Sequence, residues 1–404
     1  MNQKVTTSDY EDDIDEDVLP EDVQPATPAK LDTLMPWHTP RKQYVREVQW
    51  RRYSERLIEK LAGGNGDRPE PIRYLTLPGI DFFDVEVLGR LAKGRGLDLE
   101  MTGFLADGKL PIQARAQFRM DSLIKTGIIT DRSQTFPHRF EEIVHPNGQP
   151  ARELQRRGPF HIVNVDACGS IALPGDKRSS RIIDAIFKLV DFQMQFSRTS
   201  WLLFVTTDAR IGTVAPSVIT AFLNAIRENG VRSTAFKSAA ERDFSHLGGD
   251  LNSICNNHEF SQSDFLKLFV LGFSKWLLHN AELKHWNVTS LQAYCYGPTA
   301  GASNSELDCD WGASMPCLGF RFDYMPKPAV DLFSAAKTPE PVDSGHHERA
   351  SLKALRASVD LVNLDTHLSS GSEAVSYAIR QRELLIGAGY EAAAVDEFSE
   401  RYIS

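Results

Sequence analysis

Two short apolar runs, Phe160 to Asp166 and Trp201 to Thr207, are rich in β-branched and aromatic residues, and the stretch between them carries a 3.6-residue apolar period. That order predicts a β-α-β crossover between neighbouring parallel strands. The alternation extends upstream: Arg73 to Gly79 reads as a strand meeting a turn, Asp81 to Ala92 as a helix, Leu97 to Phe104 as a second strand and Pro111 to Lys125 as a second helix. Downstream, Val214 to Asn229 reads as a helix closed by Gly230. The pattern predicts an α/β fold built on a mostly parallel sheet. Residues 127–159 are irregular, with one short strand expected at Phe140 to Val144.

Residues 230–287 break the rhythm with a polar segment and a strongly apolar helix from Ser263 to His279, and are read as a helical insertion. Two strands follow, Val288 to Tyr296 and Leu318 to Tyr324, the second alternating strictly. The loop between them, Gly297 to Cys317, is long enough to expect a function or disorder of it. A Pro-rich linker is expected at 327–347 and a helical segment at 348–404, with Leu352, Leu355, Val359 and Val362 on one face. An N-terminal unit, 31–66, precedes the main domain, 67–326. It carries a helix entered at Pro40 and ended by Gly63 and Gly64, with Trp50, Tyr53, Leu57 and Leu61 on one side.

Composition narrows the class. Hydrophobic residues make up 42% and charged residues 25% of the 404, as in soluble globular proteins. The apolar run Leu268 to Leu278 is too short and too interrupted to cross a bilayer, so no membrane role is expected. Without a basic-then-apolar leader the default compartment is the cytoplasm, where five thinly spread cysteines stay reduced. The net charge of -9 is concentrated at the start. Nine acidic side chains from Asp9 to Asp22 face the single Lys4, whereas the rest of the chain is close to neutral. Residues 1–30 are therefore expected to form a disordered acidic tail. The helix that follows is basic. Arg41, Lys42, Arg46, Arg51 and Arg52, interleaved with Trp37, His38 and Trp50, fit either a solvated face over a docked apolar stripe or phosphate contacts to a nucleic acid.

In open sheets the working groups sit past the carboxyl ends of the strands. Asp166 is therefore the leading catalytic candidate, against a structural role capping the next turn. Cys168 is a second candidate, as a nucleophile if a neighbouring base or positive charge lowers its pKa. Asp208, past the next strand, offers an alternative in which Asp166 and Asp208 share a divalent metal. Cys255, His258, Cys309 and Cys317 have zinc-ligand chemistry, but the second pair is too widely spaced, so no metal site is assigned. No phosphate-binding Gly-x-x-x-x-Gly-Lys loop, Gly-x-Ser-x-Gly elbow or His-Glu-x-x-His helix occurs.

The strands at 73–79, 97–104, 160–166 and 201–207, ending in an antiparallel pair, resemble the class I S-adenosylmethionine-dependent methyltransferase superfamily, a Rossmann-like sheet with a reversed last strand. The resemblance covers about residues 70–326. It implies S-adenosylmethionine as cofactor, held near Thr76, Pro78, Gly79 and Gly103, with Asp166 at the position of the catalytic loop. The chain departs from the pattern in three places. Only Gly79 remains of the family's Gly-rich first loop, Leu105 stands where the second strand usually ends in an acid, and no Pro-Pro-aromatic follows Asp166. The resemblance then implies a degenerate cofactor pocket, closed or reshaped. With Trp37 to Lys42 ahead of it, the chain looks similar to methyltransferase-like proteins of bacterial mobile or defence loci. That implies a subunit binding nucleic acid or protein partners, with an active DNA or RNA methyltransferase as the alternative.

Overall fold

The computed structural model describes residues 33–35, 37–63, 70–105, 110–174, 181–257, 259–297, 313–325, 345–369 and 372–403. The acidic tail, the linker, most of the 297–317 loop and the candidate ligands His258 and Cys309 lie outside them. Among the described residues nine strands form one sheet: β1 (Ile72–Thr76), β2 (Leu99–Phe104), β3 (Gln134–Phe136), β4 (Ile162–Asp166), β5 (Trp201–Thr206), β6 (Trp286–Ser290), β7 (Tyr294–Tyr296), β8 (Met315–Tyr324) and β9 (Val362–Asn363). They run in the order β3-β2-β1-β4-β5-β8-β7-β9, with β6 also paired to β8. β1 to β5 are parallel and β8 is antiparallel to β5. This is a Rossmann-like α/β sheet with a reversed strand, the methyltransferase-like architecture that the resemblance implies.

Three local expectations change. Phe140–Val144 is a 3-10 turn, not a strand, and the strand of that region is β3. The run from 288 to 296 is two strands, β6 and β7, which pair with successive parts of β8. The chain bends between them, where Leu291 N donates to Gly319 O at 2.9 Å. Gly319 has no side chain for a good reason, since a Cβ would stand 3.2 Å from Leu291 Cδ1. Val362 is not helical but begins β9, which adds to β7.

The helices divide between the two faces. The N-terminal rod comprises α1 (Pro40–Tyr44), a π-helical segment (Val45–Arg51) and α2 (Arg52–Ala62). With α3 (Phe83–Gly94) and α4 (Leu110–Lys125), it encloses one core containing Trp50, Tyr74, Ile162 and Phe204. The opposite core holds Val163, Val165, Leu203 and Val205 together with α6 (Ile182–Phe196) and α7 (Pro216–Arg232), while α5 (Gln149–Arg157) adds Leu154. Within 230–287, α8 (Thr234–Asp243) and α9 (Leu251–Asn256) form a small satellite cluster. The long α10 (Gln262–Glu282) instead packs Phe269 and Phe273 into the sheet's own core. At the C-terminus, α11 (Gly345–Val359) lies on α10, a short α12 (Leu364–His367) follows β9, and α13 (Ser372–Gly387) packs across α1 and against α14 (Ala392–Ile403). No helix among the described residues is long and apolar enough to cross a membrane.

Candidate functional site

Strand periodicity decides where Asp166 points. Val163 and Val165 face the α6 core, so Ile162, Asn164 and Asp166 face the N-terminal rod. There the Lys42 ammonium meets Asp166 Oδ1 in a direct ion pair. Lys42 is almost wholly buried and also donates to Tyr296 Oη at 3.4 Å. Its Nζ lies 5.0 Å from the centre of the Trp50 ring. Burial works against the ammonium, yet Asp166, with Tyr296 and Cys317 beyond it, holds the Lys42 pKa above the ordinary lysine value.

Around this pair is a cavity of about 560 Å³ at the carboxyl ends of β1 and β4, lined by Trp37, Leu77, Pro78, Gly79, Phe104, Phe140 and Cys168 among others. The pocket beside Gly79 is thus open, and Trp37, Lys42, Arg46 and Trp50 of the rod line it. Pro78 and Gly79 line it, and a Cβ on Gly79 would touch nothing within 4 Å. Thr76 and Gly103 stand behind the wall. The Thr76 hydroxyl donates to Asp84 at 2.7 Å, and a Cβ on Gly103 would come within 2.9 Å of Pro78 Cγ.

The β1-α3 loop brings in acids that sequence reasoning passed over. Phe82 takes a left-handed backbone, φ 54°, while its ring stays fully buried, and this sharp turn sets Asp81 and Asp84 on the pocket wall. Asp81 is a hub. His38 Nε2 donates to its Oδ2 at 2.9 Å, Arg115 pairs with its Oδ1, and Tyr390 Oη lies 3.2 Å from both oxygens. Because Met35 N donates to His38 Nδ1, the ring proton sits on Nε2. Burial holds His38 below the usual histidine pKa against the pull of Asp81. Burial alone would raise Asp81, but its bonds to His38, Arg115 and Tyr390 bring it below the usual carboxylate range. The only sequence signal for this hub was the Trp37-His38 pair, since Arg115 and Tyr390 arrive from distant elements.

The five basic residues of the helix do not share one solvent-facing side. Lys42 and Arg46 are buried, and Arg41 pairs with Asp365, which leaves Arg51 and Arg52 exposed. The rod packs against α3 and β8 on one side and α13 on the other, and Arg46 on its inner face finds polar partners there, whereas Gln49 Oε1, Trp50 Nε1 and Ser54 Oγ find none among the described residues. Arg46 Nη1 donates to Gln381 Oε1 at 2.8 Å and Gln43 Oε1 at 3.2 Å, and its guanidinium lies 5.2 Å from the Phe83 ring centre. Cys168 is exposed at the pocket. The protein crowding its thiol and the Asp166 carboxylate push its pKa up, with Lys42 opposing, so it lacks the activated thiolate a nucleophile needs. Asp208 is tied to Arg210 Nη2 at 2.6 Å and does not line the pocket with Asp166. Among the described residues no His, Cys, Asp and Glu cluster is arranged to hold a metal ion.

Comparison with solved structures returns an rRNA methylase from Streptococcus thermophilus, 8% identical, covering 68% of this chain and 96% of that one with a TM-score of 0.30. It also returns a Streptococcus mutans protein described as a methyltransferase, in complex with SAH, 10% identical, covering 67% and 96% with a TM-score of 0.28. Overlaps this weak add nothing to the topology described above. No curated protein matches the sequence. A family model described as PP_RS20740-like matches residues 31–400, which takes in the rod with His38, Lys42 and Arg46, the strand ends with Asp81 and Asp166, and the C-terminal helices with Gln381 and Tyr390. The chain belongs to the PP_RS20740-like family.

Proposed function

We propose that this chain is a methyltransferase-like binding protein, whose pocket at the ends of β1 and β4 takes a ligand of the S-adenosylmethionine type and whose Asp166 is held out of chemistry. The observation that carries this reading is the ion pair between the buried Lys42 ammonium and the half-buried Asp166 carboxylate. A carboxylate already matched to an ammonium in a low-dielectric wall is a poor acceptor for a substrate proton, because releasing it strands a buried charge. The aromatic and apolar lining suits a planar ligand body. Pro78 offers no backbone donor and Leu105 no carboxylate, and two missing contacts at about 1 kcal/mol each weaken binding about thirtyfold.

The test is calorimetric titration of the wild type and of Lys42→Met with S-adenosylmethionine and its demethylated product. Weak but saturable binding to the wild type is expected. No heat at millimolar ligand with either protein would remove the cofactor, and tight binding with methyl transfer to a DNA or RNA substrate would restore the enzyme. A second reading, contact with a nucleic acid outside the pocket, is favoured by Arg51, Arg52, Arg56 and Lys60, which are exposed along the rod.

A further inference from the structure

A second cavity, of about 430 Å³, lies apart from the first, between the N-terminal rod, α3 and α13. Its floor is apolar, from Val87, Leu91 and Leu384, and its rim carries Arg51, Arg90 and Arg380 against Glu47 and Glu383. The carboxylates do not match the guanidinium groups one for one. Glu47 is shared by Arg380 and Gln43, and Glu86, the partner of Arg90, also pairs with the buried Arg119. Arg51 has no hydrogen-bond or ion-pair partner among the described residues. Past the groove the imbalance grows. Arg52, Arg56 and Lys60 follow at four-residue spacing and share one exposed stripe of the rod. The nearby Glu55 and Glu59 are both drawn to Arg95, so among the described residues no carboxylate pairs with any of the three.

The chain ahead of the rod carries the matching pattern. Residues 9–22 hold nine carboxylates, and within them Glu16-Asp17 and Glu21-Asp22 bracket Val18-Leu19-Pro20. An apolar centre between acidic pairs is the counterpart of an apolar floor between guanidinium groups. The path is short. Leu34 packs on the small cluster of Phe83, Leu384 and Tyr390 that Val87 also joins, so the chain enters the fold beside this groove. Residues 23–33 connect Asp22 to Leu34, and at about 3.3 Å per residue they span up to roughly 35 Å, enough to turn back along it. We infer that residues 16–23 dock in this groove, with Val18 and Leu19 on its floor and the flanking acids on Arg51, Arg90 and Arg380. Exposed ion pairs are weak singly, about 0–1 kcal/mol each. A tethered segment needs no more, because its effective concentration is on the order of millimolar. Docked there, it covers the start of the basic stripe, so a polyanion approaching Arg52, Arg56 and Lys60 first competes with the chain's own acids.

The experiment adds a fluorescent peptide of residues 1–30 to two full-length proteins at low salt and reads anisotropy. One is the wild type, and the other carries Glu16→Gln, Asp17→Asn, Val18→Ser, Leu19→Ser, Glu21→Gln and Asp22→Asn. The second leaves its groove open, so the peptide should bind it saturably and bind the wild type about tenfold more weakly or worse. Raising the salt should weaken that binding. Adding Arg51→Glu to the open-groove protein should abolish it, and Arg51 has no partner whose loss would unfold the rod. Arg380→Ala should weaken it too, and decides alone if melting shows that Arg51→Glu does not fold. No saturable binding to the open-groove protein, equal binding to both proteins, or binding indifferent to the arginine replacements overturns the inference. So does a wild type that sediments as a dimer while the open-groove protein is a monomer, because the segment then docks on a second copy.

Discussion

Two buried histidines, His161 and His38, contribute to how this protein responds to acid. His161 donates nothing through Nδ1, which accepts from Arg73 N at 3.0 Å, and burial followed by the Arg73 charge brings its pKa down to about 4. Unfolded, it titrates near 6.5. Between those values the unfolded chain binds a proton that the native one refuses, so stability is full above pH 6.5 and falls as the pH drops to about 4. The loss from His161 alone is about 3 kcal/mol. His38 shifts in the same direction and deepens the loss near its upper end, and Asp81, whose folded pKa is lowered, adds a loss at lower pH. Urea midpoints measured from pH 7.5 to 4 should fall steeply in the wild type and less in His161→Gln. Parallel curves would show that His161 is protonated as readily in the native state as in the unfolded one. None of this was legible from the residues, because a histidine in an apolar strand does not announce whether its ring is paired, buried or wet.

At the scale of elements, contact geometry matters more than propensity. Gly272 sits in the middle of α10, where glycine is unfavourable, because α7 crosses it so closely that a Cβ would stand 2.4 Å from Phe222 Cβ. Gly272→Ala is expected to destabilise by about 1–3 kcal/mol through overpacking. Gly387→Ala, at the end of α13 with open space around it, should cost nothing. Melting temperatures of the two variants check this, and an unchanged Gly272→Ala would mean that α7 and α10 are not in that contact. The rod shows the same rule in another form. Its apolar face at Trp50 and Leu57 was readable from spacing, and both residues are buried. Its π-helical segment was not readable, and widened helices of this kind recur at functional sites. It leaves Lys42, Arg46, Gln49 and Trp50 all facing inward, and Gln49 Nε2 anchors the rod by donating to Cys317 O at 2.8 Å.

For the whole molecule, the remaining question is what the outer surface of the rod meets. If Arg51, Arg52 and Arg56 touch phosphates, affinity for DNA or RNA falls steeply with salt, and removing the three charges flattens the slope. Removing residues 1–24 should tighten binding, since that acidic stretch competes for the same charges. A salt series on the full chain, the chain lacking 1–24 and Arg51→Ala/Arg52→Ala/Arg56→Ala measures all three effects. Equal slopes would mean that the rod serves only to dock against the sheet. The sequence by itself determined the alternating α/β order, the centrality of β4 and β5, the reversed β8 and the arrival of Asp166 at a strand end. The alternation and the strand end follow from periodicities of 2.0 and 3.6 residues and from turn residues, which are properties of neighbours along the chain, whereas the reversal of β8 was expected from the family resemblance. Only the tertiary structure decided that Lys42 faces Asp166, that Arg46 meets Gln381, and that His38, Asp81, Arg115 and Tyr390 share one hub. Those partners lie between 34 and 335 residues apart in sequence. A buried charge is tolerated only where packing supplies its partner, so the same basic residues that look solvated along the chain become the inner wall of a pocket once it folds.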